Sequence, residues 1–347
     1  MREFLERLLD RRDLAEAEAA AVLDGLMRPD ASPAMSGALL AALRAKGVVA
    51  SELRGFAVAM RALARRPEVA PEVAARAIDI VGTGGDASGS LNLSTGTALL
   101  VAACGMPVIK HGNRSISSRS GSADVLEQLG LVLPLDESAA GDCLAESGFT
   151  FLFAPHYHPA MRSLAPVRQA LGVRTVFNIL GPLTNPAAPA FHVLGAYSEA
   201  VAELMAGTLA GMPGVRRAFV VHGAAGWDEP TPIGPFTLYD VRNDHVTPGT
   251  RAPADYGLPT CDAAALAGGD AATNARELRA VLEGGQHGAH RDALLMGAAL
   301  ALECAGEVDG PAAGVARAVR AIEDGSAARV LAALRRVGAR VAAGRAS

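Results

Sequence analysis

Residues 79–86 read Asp-Ile-Val-Gly-Thr-Gly-Gly-Asp, a strand running into a glycine-rich turn. Glycines let backbone N–H groups approach an anion closely and form a concave nest. Asn92, Ser94 and Thr95 follow where the next helix should begin, and a helix N-terminus favours phosphate through its free N–H groups and dipole. Two familiar phosphate loops do not fit. No Gly-Lys-Ser/Thr occurs anywhere in the chain. Gly82, Gly84 and Ala87 meet the dinucleotide spacing, but that site needs an acid about 20 residues later. None exists between Asp86 and Asp124.

The acid-free window itself is informative. It holds Lys110, His111, Arg114 and Arg119, with hydroxyls at Ser88, Ser90, Ser94, Thr95, Thr97, Ser115, Ser117, Ser118, Ser120 and Ser122. Cations, hydroxyls and open backbone together suit a ligand with several phosphates. Lys110 is one of only two lysines in a chain that otherwise writes its cations as arginine, which suggests a demand for a compact ammonium. The other, Lys46, reads as a chance survivor. Asp228-Glu229 follows a strand's C-terminal end, where open α/β sheets place ligands. Adjacent carboxylates repel a phosphate unless Mg²⁺ lies between. His156 and His158 read as loop or helix-start residues lining a pocket, and Arg168 can clamp a carboxylate bidentately.

Elements must position these groups. Residues 1–66 read as helices only. One carries Leu5, Leu8 and Leu9; a second, capped by Asp13, carries Val22, Leu23, Leu26 and Met27; a third opens at Ser32-Pro33 and stops at Gly47; a fourth runs from Ser51 to before Pro67. From residue 77 the rhythm alternates. Apolar runs at Ala77–Val81, Met106–Ile109, Phe149–Phe153, Phe191–Ala196, Arg217–Val221 and Phe236–Val241 are separated by helical stretches, which start near Ser94, Ser122 and Pro159. Asp270 to Ala343 returns to helices. The fold class is therefore α/β: a mostly parallel central sheet flanked by helices, with a smaller all-α N-terminal domain.

Composition excludes other classes. The 347 residues are 50% hydrophobic but only 4% aromatic, and 32 basic against 36 acidic residues leave a net charge of −4. That argues against a generally basic nucleic-acid binder. The apolar stretch Ala98–Ile109 contains Gly105 and Pro107 and is too short to span a bilayer. The first residues carry acids and lack a signal peptide's apolar centre. Cys104, Cys143, Cys261 and Cys304 lie far apart, as reduced thiols of a cytoplasmic protein would.

Taken together, Gly82-Thr83-Gly84-Gly85-Asp86, Asn92-x-Ser94-Thr95, Lys110-His111-Gly112-Asn113-Arg114, Ser117–Asp124, His158-Pro159-Ala160-Met161, Phe177–Pro186 and Asp228-Glu229 resemble the anthranilate phosphoribosyltransferase family, within the class II nucleoside phosphorylase and phosphoribosyltransferase group. The resemblance spans nearly the whole chain. It implies transfer of a 5-phosphoribosyl group from phosphoribosyl pyrophosphate to the amine of anthranilate, the second step of tryptophan biosynthesis from chorismate, by a homodimer formed through the helical domain. It implies two Mg²⁺ ions per site, one on Ser94 and Glu229 and one on Asp228 and Glu229. Donor contacts would be Gly82, Gly85, Asp86, Ser90, Asn92, Leu93, Ser94, Thr95, Lys110, His111, Gly112, Asn113, Arg114, Ser115, Ile116, Ser117, Ser118 and Ser122. Gly82, Asn113 and Arg168 would contact anthranilate, with His111, His158 and Pro182 lining the route and no firm general base. The helical domain is expected over 1–70, completed by helices within about 159–188, and the α/β domain over 71–347. A pyrimidine nucleoside phosphorylase shares this architecture but would use inorganic phosphate; Asp228-Glu229 and the Asn113–Arg168 pair favour the transferase. Ser90, the run Pro230–Gly234 and Gly297 depart from the family's usual residues.

Overall fold

In the computed structural model, residues 1–115 and 119–346 are described; Ile116, Ser117 and Ser118 of the expected donor loop lie outside them. Five short runs rich in β-branched and aromatic residues form parallel strands: β1 (Ile78–Gly82), β2 (Val108–Gly112), β3 (Phe149–Phe153), β4 (Phe191–Gly195) and β5 (Arg217–His222). They are buried nearly throughout, as strands covered on both faces must be. The sheet continues through an antiparallel pair, β6 (Phe236–Arg242) and β7 (His245–Arg251), in the order β3-β2-β1-β4-β5-β6-β7. The strand β7 is not anticipated from sequence. It is almost wholly exposed and carries Pro248 and Gly249, which a strand tolerates only at a sheet edge.

The order sets the site. From β1 the chain steps outward to β2 and β3, then returns to pair β4 on the other side of β1. Such a reversal opens a crevice at the strands' C-terminal ends. Both strands flanking it end in glycine, and Gly82 is the register partner of Gly195.

The N-terminal unit contains α1 (Arg2–Leu9), α2 (Glu16–Met27), α3 (Pro33–Lys46) and α4 (Ala50–Ala62). Ser32 and Gly47 bound α3 as expected, with the Ser32 hydroxyl accepting from the Met35 amide at 3.4 Å. Asp13 does not cap α2; Ala15 holds that position and its amide donates to Glu18 at 2.8 Å. Asp13 instead accepts from Lys46 Nζ at 2.6 Å. The same ammonium reaches Glu52 at 3.0 Å, with both side chains almost fully buried. Glu52 also accepts from the Leu14 amide (2.9 Å) and the Val49 amide (3.1 Å), so α4 begins at Ala50. Lys46 is therefore no chance survivor: it neutralises the carboxylate that ties α2, α3 and α4 together.

Two apolar cores result. One fills the space between the sheet and the helices Leu93–Ala103, Ala289–Cys304, Pro311–Glu323 and Ser326–Ala346. The other joins α1–α4 to Leu164, Phe177, Ile179, Leu180 and Leu183, and runs on to Leu194 and Val220 of the sheet and the helix Glu199–Leu209. The helix Ala165–Leu171 packs on α3, and Phe177–Leu180 on α4. All four cysteines are free thiols. Among the described residues, no helix is long and apolar enough to cross a membrane.

Replacing Glu52 by glutamine leaves a buried ammonium with only the exposed Asp13 carboxylate as counter-charge. The substitution is expected to destabilise the chain by about 3 kcal/mol in urea unfolding; a change below about 0.5 kcal/mol would remove Glu52 from this role.

Candidate active site

Carboxylates crowd the C-terminal ends of β1 and β4. Asp228 is 8% exposed, and its backbone passes so near β4 that a methyl group on Gly195 would overlap the Asp228 carbonyl oxygen. A methyl on Gly82 would collide with Asp228 Oδ2. That oxygen accepts from the Gly84 amide at 2.5 Å, while the Asp228 amide donates to Asp86 at 3.3 Å. Glu229 accepts from the Ser94 amide at 2.9 Å, at the start of the helix Leu93–Ala103. Its other oxygen is buried and has no hydrogen-bond donor among the described residues. Burial and then Asp86 push Asp228 up to about 7; burial and then Asp228 push Glu229 well above the carboxylate range.

Lys110 lies beneath. Its side chain is 1% exposed, and the ammonium donates to the Ile80 carbonyl and to Ser94 Oγ, the latter at 3.2 Å. Burial lowers its pKa, opposed by Asp79, Glu229 and Asp228. The ammonium lies inside the sheet. Mg²⁺ fits this edge. Among the described residues no three acids, histidines or cysteines form a complete ligand cage. Mg²⁺ characteristically takes one or two carboxylates and fills its remaining positions with water and substrate phosphate. A buried carboxylate oxygen with no donor is suited to such an ion.

The acid-free window folds around this edge. Gly84 and Gly85 adopt positive φ, +69° and +77°, as a nest requires. Asp86 accepts from the Ser88 amide (3.1 Å) and hydroxyl (3.0 Å), and Ser88 contacts Ser90 at 3.2 Å. Asn92 is a brace: it donates to the Ser120 carbonyl at 3.1 Å and accepts from Asn274 at 2.8 Å. The Leu93 side chain is core, and Thr95 is fully buried with its hydroxyl unpartnered. Gly112 ends β2 against the Phe151 ring. Asn113 is exposed and accepts from the Arg114 amide at 2.8 Å. The Arg114 guanidinium is occupied by Glu127 (2.6 Å) and Asp124 (2.9 Å), and Asp124 also accepts from the Ser115 amide at 3.1 Å. Ser122 opens the next helix, Ser122–Gln128.

A second cluster lies on the opposite face of β1 and β2. The His111 and His158 rings meet edge to face at 5.0 Å. The Gly181 carbonyl lies 3.3 Å from His111 Nδ1, and that of Thr184 lies 3.1 Å from His158 Nε2, which places the buried Pro182 turn against both. Burial holds both rings neutral, His111 at about 3 and His158 at about 4. His156 does not join them; it faces Glu137 at 3.4 Å. Arg168 lies on the Ala165–Leu171 helix, its guanidinium over the Phe177 ring at 5.4 Å. Among the described residues its guanidinium has no hydrogen bond or ion pair, and burial lowers its pKa. A half-buried cation without an acid is suited to an anionic ligand.

Residues 2–64 match the family model described as the helical bundle domain of a glycosyl transferase family, and residues 74–328 match the a/b domain of that family. The anthranilate phosphoribosyltransferase of Desulforudis audaxviator is 47% identical over 327 residues, 94% of this chain and 93% of that protein. The chain belongs to the anthranilate phosphoribosyltransferase family. The crystal structure of the Thermus thermophilus member superposes with a TM-score of 0.89 at 40% identity, covering 96% of this chain and 99% of that one. The Saccharomyces cerevisiae member, in complex with PRPP and Mg, gives 0.86 at 26% identity over 97% of each chain.

Gly297 packs close to Thr97: a methyl there would approach the Thr97 hydroxyl to 2.6 Å. Gly297, Thr97, Ser94, Asp228 and Glu229 share the lining of a cavity of about 20 Å³, room for one water. Several groups around the site carry no sequence signal of their own. Asp79, 0% exposed, accepts from Asn185 (2.8 Å) and the His111 amide (3.3 Å), and burial pushes it to about 6. Arg61 of α4 projects toward this layer with Nε and Nη2 buried and unpartnered. His192 is the register partner of Asp79 and is fully buried.

Burial, with added repulsion from Arg61, holds His192 at about 3. The unfolded imidazole takes a proton below about 6.5 and the folded one does not. This contribution is therefore present above pH 6.5 and lost as pH falls. Between pH 7 and pH 5, the wild type is expected to lose about 2 kcal/mol relative to His192→Asn in paired unfolding titrations. Parallel pH profiles would show that His192 titrates normally in the fold.

Proposed function

We infer that this chain transfers the 5-phosphoribosyl group of phosphoribosyl pyrophosphate to the amine of anthranilate. The products are N-(5-phosphoribosyl)anthranilate and pyrophosphate, and the step belongs to tryptophan biosynthesis. The observation that carries this reading is the end-to-end likeness to anthranilate phosphoribosyltransferases, 47% identical across 94% of the chain. The enzyme is a pentosyltransferase.

The donor is assigned to the glycine loop, Ser90, Asn92–Thr95, the Lys110–Ser118 segment and Ser122. Asp228, Glu229 and Ser94 are assigned to two Mg²⁺ ions, which when bound would neutralise the leaving pyrophosphate. This chain's own residues do the rest. The Gly84 amide and Asp86 hold Asp228 in place, and the Ser94 amide holds Glu229. Lys110 offsets their charge from below. Arg168, unpaired and half-buried, is assigned the anthranilate carboxylate, with Gly82 and Asn113 beside the amine. An aromatic amine is neutral at pH 7, so alignment of the two substrates matters more than deprotonation, and no general base is assigned. The neutral His111–His158 pair with Pro182 forms a wall that carries no charge to compete for the carboxylate.

The helical domain is assigned to residues 1–70 with the helices of 159–188, a division supported by the packing of Ala165–Leu171 on α3. Its closure over the sheet would exclude water, which otherwise hydrolyses the donor. A homodimer through this domain is part of the same reading. The free thiols support a cytoplasmic setting.

Loss of anthranilate fluorescence in the presence of donor and Mg²⁺ measures the activity. Arg168→Ala is expected to raise the KM for anthranilate ten- to a hundredfold, the loss of about 1–3 kcal/mol from a charge-assisted contact, with donor KM within about twofold. Equal loss for both substrates would contradict the acceptor assignment.

A further inference from the structure

Arg174 lies two residues beyond Gly172, which ends the Arg168 helix in a left-handed conformation. Its guanidinium reaches back to the glycine loop, where Nη2 donates to the Gly85 carbonyl at 2.8 Å. The same group stacks on the Tyr197 ring at 4.4 Å. The Tyr197 amide donates to Thr83 Oγ1 at 3.2 Å, and that hydroxyl lies 3.5 Å from Asp228 Oδ2. The Arg174 carbonyl in turn accepts from Arg44 of α3. Among the described residues Arg174 forms no ion pair, so its cation is held by a neutral carbonyl and a ring.

The peptide geometry gives this contact a consequence. The Gly85–Asp86 bond is trans, so the Asp86 N–H points opposite to the Gly85 carbonyl. Fixing that carbonyl on Arg174 turns the Asp86 amide away from Arg174. We propose that Arg174 is a positioning residue that holds the glycine loop in its donor-binding shape and ties that shape to the acceptor helix six residues upstream. This rests on placing the donor at the glycine loop. Arg174 touches neither substrate; it acts through the loop's backbone. Any movement of α3 or of the Arg168 helix is thereby transmitted to the loop that holds the donor.

Calorimetric titration with phosphoribosyl pyrophosphate and Mg²⁺, alongside thermal melting, tests the proposal on the full chain. Arg174→Ala is expected to weaken donor binding about tenfold. Arg174→Lys, which can still donate to Gly85, is expected to recover it to within about threefold, with both variants melting alike. If Arg174→Ala does not fold, Tyr197→Leu, which removes the stacking ring alone, carries the same expectation at a smaller size. Donor affinity unchanged in these variants, or lost equally in Arg174→Ala and Arg174→Lys, would overturn the positioning role. Glu229→Gln is titrated in parallel: if it binds the donor as the wild type does, the placement of the donor fails, whatever Arg174 does.

Discussion

Three carboxylates brought together at one end of a parallel sheet set the terms for the rest of the site. Asp86, Asp228 and Glu229 repel one another, and burial of the last two magnifies the repulsion. Backbone amides hold them in place: Gly84 on Asp228, Ser94 on Glu229, and the Asp228 amide on Asp86. Their remaining demand is for positive charge. Lys110 meets part of it from inside the sheet, and the unpartnered oxygen of Glu229 shows that part is unmet. On the proposed reading, a polyphosphate with its divalent cations would supply what is missing, where the glycines at 82 and 195 let the Asp228 segment approach both strands.

The acceptor side is built on the reverse principle. There the chain half-buries a cation, Arg168, on an aromatic ring, with no acid paired to it among the described residues. His111 and His158 are kept neutral by burial. On the proposed assignments, one site thus offers negative charge for a metal to neutralise, and the other offers positive charge for a carboxylate to neutralise. On the proposal above, the link between them is mechanical: the Arg168 helix ends at Gly172, and two residues on, Arg174 holds the carbonyl of Gly85.

Much of this is legible in the residues. The absence of acids between Asp86 and Asp124 is what points to an anion site there, and the alternation of apolar runs locates five parallel strands and β6. The unforeseen strand, β7, breaks the strand pattern with Pro248 and Gly249 because an exposed edge asks little of its sequence. Asp13 carries a capping residue's chemistry, yet Lys46 claims it from 33 positions away. Lys46 itself reads as chance because its partner, Glu52, becomes buried only when α2, α3 and α4 meet. The expected role of Arg114 follows from its charge alone, which says nothing of the grip that Glu127 and Asp124 have on it. Asp79, Arg61 and His192 stay unread for the same reason: burial of a charge is a tertiary fact.

The most direct test of this account is the thermal stability of the chain with Mg²⁺, with pyrophosphate, and with both. If the carboxylate edge is a metal–phosphate site, Mg²⁺ and pyrophosphate together should raise the melting temperature by clearly more than the sum of their separate effects. An additive response, or none, would contradict the claim that the buried carboxylates are completed by a metal-bound phosphate.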